Sequence, residues 1–172
     1  LDDHIGRLMA FLEARGQLDN TLIVLTSDHG DYLGDHWLGE KEMFHEPSVR
    51  IPMIVVDPRR EADSTRGSTS EHLVEAIDLV PTFVDAAGGD SSTLDHLLEG
   101  HSLLPLVSGC RGGEWRQYAF SEADYAWRPA RVALELPTDE ARAFMVTDGR
   151  WKYVHYQHHR PQLFDLAADH ET

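Results

Sequence analysis

Three side chains that can do chemistry together stand in one glycine-rich stretch, residues 25–41 (LTSDHGDYLGDHWLGEK). Asp28 and His29 are adjacent, and Lys41 closes the stretch. A carboxylate and an imidazole can both ligate a divalent cation, and a nearby ammonium group can hold an anion beside that cation. Lys41 is also one of only two lysines in a chain that otherwise uses arginine for positive charge.

Each of these residues also has a structural interpretation. Asp28 can cap the turn that follows it, His29 can be an ordinary polar loop residue, and Lys41 can be a solvated surface charge. A Ser-His-Asp hydrolase is conceivable from the residue types, but the chain has no G-x-S-x-G motif. It also lacks a Walker loop, a Rossmann glycine fingerprint and paired cysteines for zinc.

Composition limits the partners of the chain. Its 172 residues carry 30 acidic and 15 basic side chains, a formal charge of −15. We expect no nucleic-acid or anionic-membrane partner, because phosphate binding needs clustered Lys and Arg. No stretch approaches the roughly 20 apolar residues of a membrane span. An anionic substrate would therefore need a local positive site, such as a metal ion beside Lys41.

The elements that position these residues follow an α/β order. Residues 1–15 have apolar side chains at helical spacing and are followed by Gly16, which predicts an amphipathic helix. Residues 22–25 and 51–56 are continuous apolar runs, typical of strands buried on both faces of a parallel sheet. The first run ends just before Asp28, and open α/β sheets place their sites at the carboxyl ends of strands.

The rest of the chain divides into a helix and a β-rich region. Residues 70–87 predict a helix capped by Ser70 and kinked by Pro81. Short aromatic-rich segments then predict antiparallel strands, with a hairpin at TDGRW. We divide the chain into residues 1–108, the α/β portion, and residues 109–172, a small antiparallel subdomain of about four strands packed beside a helix.

Other polar residues near the stretch have structural interpretations. We expect His36 and His45 to be loop residues or to lie behind the site, and Arg50 to anchor the loop to a sheet through a carboxylate. The histidines of HYQHH, residues 155–159, are expected to form a solvent-exposed cluster, because strand alternation points neighbouring side chains apart.

Three segments carry a family resemblance: TLIVLTSDHGDYLGDH, then GEK, then FHEPSVRIPMIV. Together they resemble the carboxyl-terminal half of the sulfatase family within the alkaline phosphatase superfamily, and most of all its phosphonate monoester hydrolases and phosphodiesterases. The likeness continues through HLVEAIDLVPTFVDAAG, LEGHSLLPLVSG and DGRWKYVHY. It implies the carboxyl-terminal part of an alkaline-phosphatase-like α/β sheet sandwich with a small antiparallel β subdomain.

The resemblance also implies an activity and a site. The activity is metal-dependent hydrolysis of a small anionic ester, namely a phosphonate monoester, phosphate diester or sulfate ester. Asp28 and His29 match two ligands of one divalent metal ion, with calcium or manganese expected ahead of zinc or iron. Lys41 matches the lysine that contacts the sulfate or phosphate oxygens. We expect a homo-oligomer and leave a cytoplasmic or periplasmic location open.

The nucleophile of such enzymes has no counterpart in this sequence. In the family it is a formylglycine made from the Cys or Ser of a C/S-x-P-x-R motif in the amino-terminal half, where an acidic pair completes the metal site. Cys110 lacks the proline, and Asp2 and Asp3 are expected to serve the first helix instead. We therefore expect a carboxyl-terminal fragment that is inactive alone. The alternative is a non-catalytic or degenerate domain that serves in oligomerisation or metal binding.

Overall fold

The computed structural model describes residues 1–41, 43–110 and 114–169. They form two compact units, which we describe separately. The first comprises the described residues of Leu1–Thr26 and Pro52–Glu114, and the second those of Ser27–Ile51 and Trp115–Thr172. The stretch that carries Asp28, His29 and Lys41 therefore groups with the carboxyl-terminal strands. Within the described ranges, none of the helices has the length and apolar character that crossing a membrane requires.

The described residues form short helices and strands, and the last three strands follow one another without a helix between them. The helices are α1 (Asp2–Ala14), α2 (Glu46–Val49), α3 (Leu79–Ala86), α4 (Leu104–Val107) and α5 (Pro129–Ala133). The strands are β1 (Ile23–Thr26), β2 (Met53–Val56), β3 (Ala119–Asp124), β4 (Arg142–Thr147), β5 (Trp151–Tyr156) and β6 (Gln162–Asp165). Short 3₁₀ turns occupy several of the connections, including Asp35–Trp37 and Ala76–Asp78.

Strands β1 and β2 of the first unit pair antiparallel, with Ile23 opposite Val56. The parallel pairing predicted from their apolar runs is therefore wrong for these two strands. A run of β-branched residues indicates burial of both faces and contains no information on strand direction. The burial is also incomplete here, since the side chains of β1 are half-buried and Ile54 of β2 is exposed.

The amphipathic helix predicted for the first residues is confirmed as α1, but the second predicted helix begins later than expected. Helix α3 starts at Leu79, so that Pro81 lies in its first turn, where a missing N–H costs no hydrogen bond. The capping residue is Glu75, at the start of the 3₁₀ turn that leads into α3. The hydroxyl of Ser70, the predicted cap, lies 2.9 Å from Nδ1 of His72 instead.

The second unit contains the predicted antiparallel strands, in the order β3-β4-β5-β6. The β4–β5 hairpin turns at Gly149, whose φ of +88° favours glycine. One face of the sheet packs into a core made of Phe44, Ala143, Met145 and Val154, with Val49 of α2 against it. The four strands and the adjacent helix are thus confirmed. The other face exposes large apolar side chains, among them Phe120, Tyr153 and Leu163.

A buried carboxyl group ties two segments of the first unit together. Asp78 is fully buried and accepts hydrogen bonds from the backbone N–H groups of Glu75 and His101, each at 2.8 Å. Its carbonyl oxygen accepts from the hydroxyl of Thr82 at 2.6 Å, and that hydroxyl accepts from the N–H of Leu103 at 2.8 Å. The start of α3 is thereby joined to the segment that leads into α4.

We predict that Asp78→Ala lowers the free energy of unfolding of the full-length protein by about 3 kcal/mol, because two backbone N–H donors lose their buried acceptor. Asp78→Asn keeps one acceptor oxygen and should cost about 1 kcal/mol. Chemical denaturation measures both. Asp63→Ala is the control, since it removes an exposed carboxylate of the same unit whose ion pair with Arg66 lies on the surface. Equal stabilities for Asp78→Ala and Asp63→Ala would contradict the prediction.

Candidate functional site

The stretch that carries the predicted site residues closes on itself. The N–H of Tyr32 donates to the carbonyl of Glu40 at 2.9 Å, and the N–H of Gly34 donates to the carbonyl of Leu38 at 3.0 Å. Residues 32–40 therefore form a compact loop whose two ends lie side by side. His29 and Lys41, which flank this loop, are brought to the same place.

The backbone of this loop is unusual. Leu33, His36, Trp37 and Glu40 all have positive φ, between 48° and 60°, although none of them is glycine. Left-handed backbone costs such residues free energy, on the order of 1 kcal/mol each, and it persists where the surroundings impose it. A cluster of it in one short loop is typical of functional sites.

The structure brings the three predicted residues together. The ammonium group of Lys41 is in hydrogen-bond contact with Nε2 of His29. The same Nε2 lies 3.4 Å from Oδ2 of Asp28. The carboxylate is largely exposed and the imidazole partly so, at 84% and 37% of their side-chain surface. A carboxylate, an imidazole and an ammonium group thus face one accessible position.

The hydrogen bonds of His29 define which nitrogen can bind a cation. Its Nδ1 lies 2.6 Å from the carbonyl oxygen of Gly30 and must donate a proton to it. The lone pair is then on Nε2, the atom beside the carboxylate of Asp28, where it accepts from Lys41. An Nδ1–H fixed by a backbone carbonyl, with Nε2 left as a donor atom, is the usual arrangement of a metal-binding histidine. This pair therefore fits a divalent cation.

The electrostatic surroundings favour the ionised form of Asp28. Desolvation is the largest single influence and acts to raise its pKa, but the opposing influences together lower it. They are the imidazole of His29, backbone N–H groups and the ammonium of Lys41. The pKa of Asp28 therefore lies below its ordinary value, and the carboxylate is ready to bind a cation.

Two ligands are too few for a complete metal site. Among the described residues, no group of three or more His, Cys, Asp or Glu side chains is arranged to hold a metal ion. The sequence prediction that further ligands come from elsewhere is compatible with this finding. The metal-binding role of Asp28 and His29 and the anion-binding role of Lys41 stay predictions.

His36 and His45 lie together at the back of the loop. Their rings stack with centroids 4.3 Å apart, and Nδ1 of His45 is 2.8 Å from the hydroxyl of Tyr32, which is fully buried. Desolvation, with His36 and Lys152 adding to it, lowers the pKa of His45. A neutral His45 is therefore favoured, and it serves as a partner for the buried tyrosine that anchors the loop.

The structure also reveals residues that sequence reasoning missed. Glu46 and Ser48 of α2 and Lys152 of β5 contact the loop or its support, and Gly30 packs against α2.

Arg50, the predicted anchor, is exposed and makes no ion pair among the described residues. The carboxylate that anchors this segment is that of Glu46, and it pairs with Lys152. The HYQHH histidines are exposed as predicted, with His158 Nε2 2.7 Å from Glu140 Oε2.

Comparison with known proteins agrees with the sequence resemblance. The chain is 35% identical over 172 residues to the multifunctional alkaline phosphatase superfamily protein PehA of Trinickia caryophylli, covering 98% of this chain and 32% of that protein. It is 34% identical over 171 residues to the choline-sulfatase of Rhizobium meliloti, covering 98% of this chain and 29% of that enzyme. The chain thus spans about a third of the length of these relatives.

Solved structures and a family model point the same way. The crystal structure of the phosphonate monoester hydrolase of Agrobacterium radiobacter superposes with a TM-score of 0.84 at 32% identity, covering 98% of this chain and 33% of that enzyme. This confirms the predicted fold class. The Sulfatase family model matches residues 1–89, just over half of the sequence. The chain therefore belongs to the sulfatase family of the alkaline phosphatase superfamily.

Proposed function

We propose that the full-length protein is a metal-dependent hydrolase of phosphonate monoesters, phosphate diesters or sulfate esters. A formylglycine nucleophile would come from a part of the protein outside this chain. The observation that carries the proposal is the convergence of Asp28, His29 and Lys41 at one accessible position. Relatives that are named choline-sulfatase and phosphonate monoester hydrolase support the substrate class.

In this proposal Asp28 and His29 hold the cation. A bound divalent cation would polarise an ester oxygen and favour the ionised nucleophile. Asp28 contributes a carboxylate, and the neighbouring groups favour its ionised form by lowering its pKa. His29 contributes Nε2, which carries the lone pair in the tautomer whose Nδ1–H donates to the carbonyl of Gly30. We favour calcium or manganese over zinc or iron.

Lys41 would act on the substrate itself. An ammonium group has three N–H donors, so its contact with His29 leaves further donors for the oxygen atoms of an anionic ester. Because negative charge increases on the transferred group or the leaving group in the transition state, a fixed cation stabilises that state more than the substrate. In a chain with a formal charge of −15, this lysine supplies the positive charge that an anion requires.

The alternative of a non-catalytic domain has less support. It explains neither the contact between His29 and Lys41 nor the similarity, over 98% of the chain, to the choline-sulfatase.

Assaying the full-length protein against aryl phosphonate monoesters, phosphate diesters and aryl sulfates tests the proposal. Hydrolysis of at least one class is expected. No turnover of any class by folded, metal-loaded protein would contradict the proposal.

We predict that Lys41→Ala lowers kcat/KM of the full-length enzyme by about 100- to 1000-fold, because one charged donor to the transition state is lost. Folding should be little affected, since Lys41 is exposed. The control is Arg142→Ala, which removes another exposed cation of the same unit. That variant should retain nearly full activity. Wild-type kcat/KM in Lys41→Ala would show that the lysine is misassigned.

We predict that His29→Ala weakens divalent-metal binding by the full-length protein by more than about 100-fold. Loss of a residue that only hydrogen-bonds to a metal ligand already lowers metal affinity by about 10- to 100-fold, and loss of the ligand itself should cost more. Titrating the metal-free protein with Ca²⁺ and with Mn²⁺ measures affinity and stoichiometry without relying on activity. His155→Ala is the matched control, because that histidine is an exposed residue of β5. Unchanged affinity in His29→Ala would exclude a ligand role.

A further inference from the structure

Helix α2 is hydrogen-bonded to the chain on both sides of the loop of residues 32–40. The N–H of Gly30, next to His29, donates to the carbonyl of Ser48 at 2.7 Å. The hydroxyl of Ser48 donates to the carbonyl of Lys41 at 3.2 Å. A single buried residue of α2 is therefore hydrogen-bonded on one side to the neighbour of His29 and on the other to Lys41 itself.

The fit between the loop and α2 is tight. A Cβ atom at position 30 would lie 1.9 Å from the carbonyl oxygen of Pro47, so only glycine allows the backbone to pass this close. The distance between His29 and Lys41 consequently depends on where α2 lies. Any rotation of this helix would change both hydrogen bonds of Ser48.

Helix α2 is itself anchored by an ion pair. It has only four residues, Glu46–Val49, too few to be stable without tertiary contacts. Oε1 of Glu46 lies 3.1 Å from Nζ of Lys152, which is fully buried on β5. The ammonium also lies 5.4 Å from the ring centroid of Phe164. Desolvation lowers the pKa of Lys152, and Glu46 acts against that shift.

We propose that the Glu46–Lys152 ion pair positions Lys41 for catalysis, acting through α2 and the hydrogen bonds of Ser48. This proposal rests on the proposed function, because it assumes that Lys41 contacts the substrate. The two lysines of the chain then have complementary roles. Lys41 contacts the anionic ester, and Lys152 fixes helix α2, to which Lys41 is hydrogen-bonded.

Stability alone is a weak reason for such a pair. Burying two charges costs desolvation free energy, and well-packed apolar side chains in their place are often as stabilising or more so. A charge-assisted hydrogen bond, however, is directional in a way that apolar packing is not. A buried ion pair therefore suits an element whose orientation has to be fixed.

The test is a double-mutant cycle in the full-length enzyme. The charge-free variant Glu46→Gln/Lys152→Met avoids an unpaired buried charge, and it is made with and without Lys41→Ala. If the pair acts through Lys41, we expect kcat/KM to fall about 10- to 100-fold in the wild-type background, as misplacement of a catalytic group does. With Lys41 already removed, the same pair replacement should have little further effect.

Controls separate positioning from folding. Asp57→Asn alters another ion pair, between buried Asp57 and half-exposed Arg59 in the first unit, and its effect on kcat/KM should be the same in both backgrounds. Thermal unfolding and metal content are measured for each variant. Should the charge-free variant fail to fold, Ser48→Ala replaces it in the cycle, because it removes one hydroxyl and leaves the ion pair intact.

The outcomes are distinguishable. A loss that is equal in both backgrounds, or no loss in the wild-type background, would overturn the positioning role while leaving the proposed function intact. Wild-type activity of Lys41→Ala alone would show that the lysine is misassigned and would overturn this inference, while the assignment as a hydrolase would stand. Only the absence of turnover by the folded, metal-loaded wild-type protein would overturn the proposed function. A loss confined to the background that retains Lys41 would support both.

Discussion

The close approach of Gly30 to helix α2 is the constraint on which the candidate site depends. Because no side chain fits between position 30 and the carbonyl of Pro47, the backbone at His29 is set by the helix. The closed loop of residues 32–40 then returns the chain to Lys41, which the same helix holds through Ser48. The contact between the imidazole and the ammonium group follows from these backbone restraints, with buried Tyr32 as an additional anchor.

The two lysines of this sequence, Lys41 and Lys152, lie in different electrostatic environments. The formal charge of −15 would repel an anionic ester, so binding requires positive charge concentrated at one position. An exposed lysine beside two candidate metal ligands can provide it. The second lysine is buried and paired with Glu46, so its charge is compensated inside the unit. In our proposal, one lysine thus contacts the substrate and the other fixes the position of helix α2.

Much of the fold could be predicted from local sequence signals. Helical spacing ending near Gly16 predicted α1, and the turn at Gly149 predicted the β4–β5 hairpin. Strand direction could not be predicted, because the apolar runs of β1 and β2 contain no pairing information. The predicted helix start at Ser70 is wrong, because a proline fits without loss of a hydrogen bond only in the first turn of a helix, and α3 begins at Leu79, two residues before Pro81.

The chemistry of the site could be predicted from residue types and family resemblance, but its support could not. Asp28, His29 and Lys41 stand in one short stretch, and the structure brings them together. Glu46 and Lys152 are 106 residues apart, and nothing local in the sequence links them. The most direct measurement is a crystal structure of the full-length protein with a divalent metal and a phosphate-like anion. Our account predicts the metal on Asp28 and His29 and the Lys41 ammonium on an anion oxygen; a metal bound by neither residue would contradict it.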